Sequence, residues 1–133
     1  MGVRIDPLTM DETVQAVENF VIEQRPLHLM GVNADKINQC QSDEAIKKIV
    51  NDSEIINADG ASVVLASRFL GYQVPERVAG IDLMQRLLKL ADKKSYSVYF
   101  FGAKEEVLQD MLQNFKEEYP NLRVVGHRNG YFS

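Results

Sequence analysis

Cysteine occurs once in this chain, at Cys40, so its own residues can build neither an internal disulfide nor a thiolate-rich metal site. A reducing compartment fits that scarcity. Basic residues are not in excess either: 15 Lys and Arg are scattered among 19 Asp and Glu, for a formal net charge of -4. Binding to a phosphate backbone rests on clustered cations, which argues against a nucleic-acid domain. No apolar run approaches the roughly 18 to 20 residues a spanning helix needs. The amino terminus carries Asp6, Asp11 and Glu12 where a signal segment would have basic and then apolar residues, so neither insertion nor export is expected from it. Nothing forms a basic amphipathic helix that would argue for peripheral membrane contact. His28 and His127 stand far apart in sequence, without acids at metal-ligand spacing, and no metal site is expected. Ser62 and Ser67 lack a nucleophile-elbow context and Cys40 lacks a nearby partner in sequence, which leaves hydrolase chemistry without support. Internal repeats, low-complexity segments and long linkers are absent as well.

What is present is a chain of 133 residues, 45% hydrophobic, enough for one compact domain with a real core. Gly2 to Ile5 alternates weakly and ends at Asp6-Pro7, which predicts a short edge strand and a turn. Thr9-Met10-Asp11-Glu12 has the form of a capping box. A helix from Met10 to Gln24 follows, with Val14, Val17, Phe20 and Val21 at helical spacing and Pro26 closing it. Leu27 to Val32 has the length and apolarity of a strand buried on both faces. Asn33-Ala34-Asp35-Lys36 leaves it toward a helix holding Ile37 and Cys40. Ser42-Asp43-Glu44 opens the next helix, whose apolar stripe is Ala45, Ile46, Ile49 and Val50. The β-branched run Ile55-Ile56 then meets Asn57-Ala58-Asp59-Gly60, a strand running into a helix over Ala61 to Leu70 that stops at Gly71. A loop from Tyr72 to Gly80, a helix over Ile81 to Ala91, a strand over Tyr96 to Phe101, a helix over Glu105 to Glu118 and a strand over Leu122 to Gly126 complete the alternation. Asn129-Gly130-Tyr131-Phe132-Ser133 reads as a turn leading to a helix cap. Strand and helix alternating nearly throughout select an α/β fold with a mostly parallel sheet, helices on both faces and right-handed crossovers.

Asp59 stands where such folds bind ligands, at the carboxyl end of a strand, and Arg77 on a neighbouring loop that leads into a helix. Asp59 is either a helix cap, for which Asp is well suited, or a general base whose pKa is raised beside Ile56 and Val63 so that it removes a hydroxyl proton. Arg77, in Pro75-Glu76-Arg77-Val78-Ala79-Gly80-Ile81-Asp82, either pairs with Glu76 in a solvated loop or grips two oxygens of a diphosphate leaving group. Asn33 is a turn residue or a contact to a nucleotide or sugar. Gly102-Ala103-Lys104 before a helix would offer backbone donors to an anion, without the spacing of a P-loop or a dinucleotide fingerprint. Tyr96, Tyr99, Phe100 and Phe101 read as core strand rather than a base-stacking platform.

Val32-Asn33-Ala34-Asp35, Asn57-Ala58-Asp59-Gly60-Ala61, Pro75-Glu76-Arg77-Val78-Ala79-Gly80-Ile81-Asp82, Phe101-Gly102-Ala103 and Gly126 with Asn129-Gly130-Tyr131-Phe132, in this order, resemble the WecG/TagA/CpsF glycosyltransferases. Within that family the likeness is nearest to the TagA-like N-acetylmannosaminyltransferases of wall teichoic acid synthesis. The resemblance implies a Rossmann-like, inverting glycosyltransferase with no required metal or other cofactor. Such an enzyme moves N-acetylmannosamine from its UDP donor to undecaprenyl-diphosphate-linked N-acetylglucosamine. It carries the base role to Asp59 and a phosphate contact to Arg77, and it places Asn33, Asp35, Gly60, Gly102 and Ala103 in the substrate pocket. It implies a cytoplasmic site of action at the inner face of the cell membrane, and an incomplete sheet adds the expectation of a homo-oligomer. Alternatives are a transferase for a related UDP-sugar, such as N-acetylmannosaminuronic acid or glucose, and a non-catalytic nucleotide-sugar-binding or assembly module. Two departures from the family pattern stand out. Gly31 occupies the place of a common threonine, and family members continue through further strands and a membrane-targeting tail, so residues 1–133 are expected to form a single domain lacking that C-terminal part.

Overall fold

A computed structural model describes residues 3–72 and 74–131. The element order is α1 (Met10–Ile22), β1 (Leu29–Val32), α2 (Ala34–Ser42), α3 (Glu44–Asn51), β2 (Ile55–Ala58), α4 (Ala61–Phe69), α5 (Gly80–Lys94), β3 (Ser97–Phe101), α6 (Glu105–Glu118) and β4 (Arg123–Arg128). Strand β1 pairs with β2 and strand β3 with β4, and both pairings are parallel and joined through helices. This is the α/β, Rossmann-like alternation expected from the sequence. The chain divides into two compact units, Met1–Leu83 and Met84–Ser133.

In the first unit the capping box forms: Thr9 Oγ1 accepts from Glu12 N at 3.1 Å and Glu12 Oε1 from Thr9 N at 3.0 Å. Helix α1 ends two residues before the predicted Gln24, which sits at φ 55°. Its buried positions are Thr13 and Glu18, with Val14, Val17 and Phe20 half-buried, and Val21 faces outward. The predicted apolar stripe therefore has the right period but a rotated centre, because Thr13 carries a hydrogen bond inward to β2. The edge strand expected over 2–5 does not form in its described part, Val3 to Ile5, and Gly2 lies outside the described residues. Asp6 takes the strand's place: its N–H donates to Ile56 O at 2.8 Å and its Oδ2 accepts from Ile56 N at 2.8 Å. A side chain thus supplies the acceptor that a second strand residue would, and Pro7 removes the next donor.

The β1–β2 register runs from Leu29↔Ile55 to Val32↔Ala58. Strand β2 is buried throughout, whereas β1 is half-buried until Val32, so the expectation of a strand covered on both faces fits β2 better than β1. The core gathers Val32, Ile37, Cys40, Val50, Ile56, Ala58, Val63, Val64 and Val74. Asp43 closes α2 and opens α3, where its Oδ1 accepts from Ala45 N at 3.0 Å. Of the predicted α3 stripe, Val50 is buried and Ile46 half-buried, while Ile49 and Ala45 are exposed. Helix α4 stops as expected at Gly71, whose φ of 92° suits glycine.

In the second unit Leu88, Phe100, Leu108 and Tyr119 form the core, with the Phe115 ring tilted against those of Phe100 and Tyr119 at 5.6 Å from each. The predicted aromatic strand is only half a core strand, because Phe100 points inward while Tyr99 and Phe101 are exposed. Tyr99 lies across Gly126 of β4, where a Cβ would stand 2.7 Å from its ring. Asn129 makes the predicted turn by accepting from Tyr131 N at 2.9 Å, and Phe132 and Ser133 lie outside the described residues.

Candidate functional site

The carboxyl end of β2 is where the first unit gathers its chemistry. Asp59 N–H donates to Val32 O at 2.9 Å, carrying the β1–β2 pairing one residue past the strand. The chain then turns at Gly60, which is the N-cap of α4 and supplies no side-chain cap. Asp59 does not cap the helix that follows it. Its Oδ1 accepts from Gly80 N at 3.2 Å, the first residue of α5, so the carboxylate is turned onto the 75–80 loop and lies at the positive end of that helix's dipole. The neighbouring residue is tied to the same loop, since Val78 N–H donates to Ala58 O at 2.8 Å. Two hydrogen bonds thus clamp the Arg77 loop to the strand end that carries Asp59.

The loop is fixed from its far side too. Arg68, in the last turn of α4, donates from Nε to Val74 O at 3.0 Å and from Nη2 to Pro75 O at 2.7 Å. Val74, Val78 and Ala79 are buried, whereas Arg77 is exposed. Glu76 is turned to helix α1, accepting from Met10 N at 2.7 Å, so a surface pair with Arg77 is not what orders Glu76. The roles of Arg68, Glu76 and Gly80 were not anticipated. Only the arginine's place in the last turn of α4 could have hinted at its work.

On the β1 side, Asn33 is the N-cap of α2, with Oδ1 accepting from Lys36 N at 2.9 Å, which realises its turn reading. A Cβ on Gly60 would lie 3.7 Å from Asn33 Cβ, so the loops after β1 and β2 run side by side. Asp35 is exposed in the first turn of α2. Lys36 reaches back to donate from Nζ to Gly31 O at 2.9 Å. Asp59 Oδ2 lies over two glycines: a Cβ would stand 3.0 Å from it at Gly31 and 3.6 Å from it at Gly80. The site thus joins Asn33, Asp59, Gly60 and the loop bearing Arg77, with Asp35 on the adjacent helix turn. Gly102 and Ala103 belong to the second unit. There the Gly102 N–H is spent on Arg128 O at 3.0 Å and Ala103 O accepts from Gly130 N at 2.9 Å, so the anion-binding donor expected at Gly102 is occupied. Among the described residues no cluster of three or more His, Cys, Asp or Glu is placed to hold a metal ion, and no helix is long and apolar enough to cross a membrane.

The profile of the Glycosyl transferase WecG/TagA/CpsF family matches residues 1–133. A Staphylococcus aureus protein named N-acetylglucosaminyldiphosphoundecaprenol N-acetyl-beta-D-mannosaminyltransferase is 31% identical over 133 residues, covering 98% of this chain and 52% of its own length. The Bacillus subtilis protein of the same name is 34% identical over 83 residues, covering 62% of this chain and 32% of its own. The chain therefore spans about half the length of the first of these relatives, or less. With the family profile matching residues 1–133, the chain belongs to the WecG/TagA/CpsF glycosyltransferase family.

Proposed function

We propose that residues 1–133 form a glycosyltransferase domain that moves N-acetylmannosamine from UDP-N-acetylmannosamine to undecaprenyl-diphosphate-linked N-acetylglucosamine, with inversion at the transferred carbon. The family profile runs through both units, which supports reading them as one functional domain. The relatives' names supply the sugar and the lipid-linked acceptor. Asp59 is the general base. It takes the proton from an acceptor hydroxyl as that oxygen bonds to the donor's anomeric carbon. The bond from that carbon to the diphosphate breaks, and UDP departs with the electron pair. Arg77 meets the negative charge that accumulates on the leaving diphosphate, where its planar fork suits two oxygens at once. Asn33, Asp35 and Gly60 are assigned to substrate contacts beside it, and Gly102 and Ala103 to the donor side through the family motif alone. The observation that carries this reading is the 3.2 Å hydrogen bond from Gly80 N–H to Asp59 Oδ1, which turns the acid toward the loop that carries Arg77.

The enzyme acts at the inner face of the cell membrane, where a lipid-linked acceptor resides, and it works as a homo-oligomer. Support for assembly comes from α4 and its C-cap, where Leu65, Phe69 and Leu70 are 71%, 90% and 59% exposed. A second reading, a nucleotide-sugar-binding module without turnover, is favoured by Gly31, which leaves no side-chain hydroxyl beside Asp59 Oδ2.

UDP release from UDP-N-acetylmannosamine in the presence of a short-chain lipid-linked acceptor tests the proposal. Asp59→Asn is expected to lower turnover by about 100-fold or more with UDP affinity kept, as loss of a general base does. Arg77→Lys is expected to lower turnover less, because one charge remains but the bidentate grip is lost. Unchanged turnover in Asp59→Asn rules out the base role. Calorimetric UDP binding without turnover in the unsubstituted chain would favour the binding module.

A further inference from the structure

Across 74–80 one residue after another is tied down. Val74 O and Pro75 O accept from Arg68, Glu76 accepts from Met10 N, and Val78 N–H donates to Ala58 O. Ala79 O accepts from Leu83 N at 2.9 Å and Gly80 N–H donates to Asp59 Oδ1. Arg77 is the exception, exposed and without a hydrogen bond or ion pair among the described residues. A fixed backbone thus carries one unengaged guanidinium. Arg68 makes two of these ties at once. Its Nε–H and Nη2–H lie on one edge of a planar fork, which matches two successive carbonyls as the point charge of an ammonium does not. It stands in the last turn of α4, whose nine residues span about 13 Å from Gly60, next to Asp59, to the loop. One short helix therefore sets the Arg77 loop against the strand end that carries the acid.

We infer that Arg68 is a positioning residue for the donor's diphosphate, acting through the backbone of the Arg77 loop rather than by touching substrate. The inference rests on the reading of Arg77 as the diphosphate's partner and adds to it what aims that side chain. A bidentate grip on two oxygens is geometrically exacting. The carbonyls that Arg68 holds lie two and three residues before Arg77, so slack introduced there reaches its Cα. The Arg68 side chain is exposed and shares a cleft of about 700 Å³ with Pro7, Glu12 and Tyr72. Shortening it admits water to the two carbonyls instead of opening a hole in the core, and the fold survives a change that the grip does not. Val74 and Val78 differ in this respect, because both are buried and any substitution there is a packing change.

The test is calorimetry with UDP and with UMP on the whole chain, unsubstituted and as Arg68→Ala, Arg68→Lys, Arg77→Ala and the double variant Arg68→Ala with Arg77→Ala. Arg68→Ala is expected to weaken UDP binding on the order of ten-fold, the size of a lost hydrogen bond to a charged group. UMP lacks the phosphate next to the bond that breaks, and its affinity is expected to stay within about two-fold, the scatter of independent effects. Once Arg77 is alanine there is nothing left to aim, so adding Arg68→Ala is expected to change UDP affinity by less than about two-fold. Should Arg68→Ala fail to fold, Arg68→Lys carries the test in its place, with a smaller loss that again falls on UDP and not on UMP. Equal losses for the two nucleotides, losses that multiply in the double variant, unchanged UDP affinity in Arg68→Ala, or no UDP binding by the unsubstituted chain would each overturn the positioning role. Failure of the transferase reading is distinguishable: it shows as normal turnover in Asp59→Asn, or as no turnover at all, whereas the coupling of Arg68 to Arg77 is read from UDP binding alone.

Discussion

Asn57 shows how a single side chain couples the site to the helix behind it. It is 1% exposed in the middle of β2, two residues before Asp59, and its Nδ2 donates to Thr13 Oγ1 at 3.1 Å. That hydroxyl in turn donates to Thr9 O at 2.8 Å, inside the capping box of α1. A short chain of hydrogen bonds therefore joins the strand that presents Asp59 to the start of α1, the same helix end that Glu76 holds from the Arg77 loop. Thr13→Val keeps the shape and removes the hydroxyl, leaving the buried amide without its acceptor. It is expected to cost about 1–3 kcal/mol, the penalty of an unsatisfied buried donor, read as a lowered denaturation midpoint at unchanged slope. A midpoint equal to that of the unsubstituted chain would mean the bond carries no net stability. Little of this was legible in the sequence. Asp59 and Arg77 announced themselves because a carboxylate before a glycine and an arginine before a helix are local signals. The Thr13–Asn57 contact spans 44 positions, and a threonine on a helix stripe looks like any other polar interruption.

At the scale of elements, ends were more legible where a residue's own backbone chemistry sets them. Thr9 and Glu12 marked the start of α1, and Gly71 marked the end of α4, because capping boxes and positive-φ glycines act within a few residues. The amino-terminal strand failed for the opposite reason: its pairing is decided by the Asp6 carboxylate folding onto Ile56, which alternation cannot reveal. Helix α6 offers an electrostatic case. Glu105, in its first turn, accepts from Asn129 Nδ2 at 2.9 Å and from Gln109 Nε2 at 2.9 Å. The hydrogen bond from Asn129, followed by that from Gln109, holds the Glu105 carboxyl below its ordinary value of 4.5. A depressed folded-state pKa stabilises above the unfolded value and loses that contribution as pH falls through the folded one. Melting temperature measured downward from pH 6 is thus expected to fall below about pH 4.5, more gently in Glu105→Gln, which cannot titrate. Identical acid profiles for the two proteins would show that the Asn129–Glu105 tie between β4's exit and α6 adds nothing.

At the scale of the whole molecule, what the chain leaves uncovered matters as much as what it buries. Helix α4 inserts Val63 and Val64 into the core of its unit while Ser62, Leu65, Ala66 and Phe69 follow one another at helical spacing on the other side. Leu70 and Tyr72 extend that surface at 59% and 67% exposure. Single exposed apolar residues are ordinary, but a run along one helix face is the kind of patch that soluble monomers avoid. The helix begins directly after Asp59 and Gly60 and carries in its last turn Arg68, which holds the Arg77 loop, so a partner seated on this face would brace the element next to both parts of the site. A second copy of the chain is the occupant we propose, because an isologous contact lets one apolar stripe cover its own counterpart. Sedimentation over a wide concentration range is expected to give a mass that rises toward a multiple of the 15.1 kDa chain. Leu65→Glu with Phe69→Lys should return it to the single-chain mass. Since both side chains are exposed, the double variant should melt within a few degrees of the unsubstituted chain when both are measured dilute, as substitutions away from buried features do. A single-chain mass at every concentration would remove the second copy from the proposal.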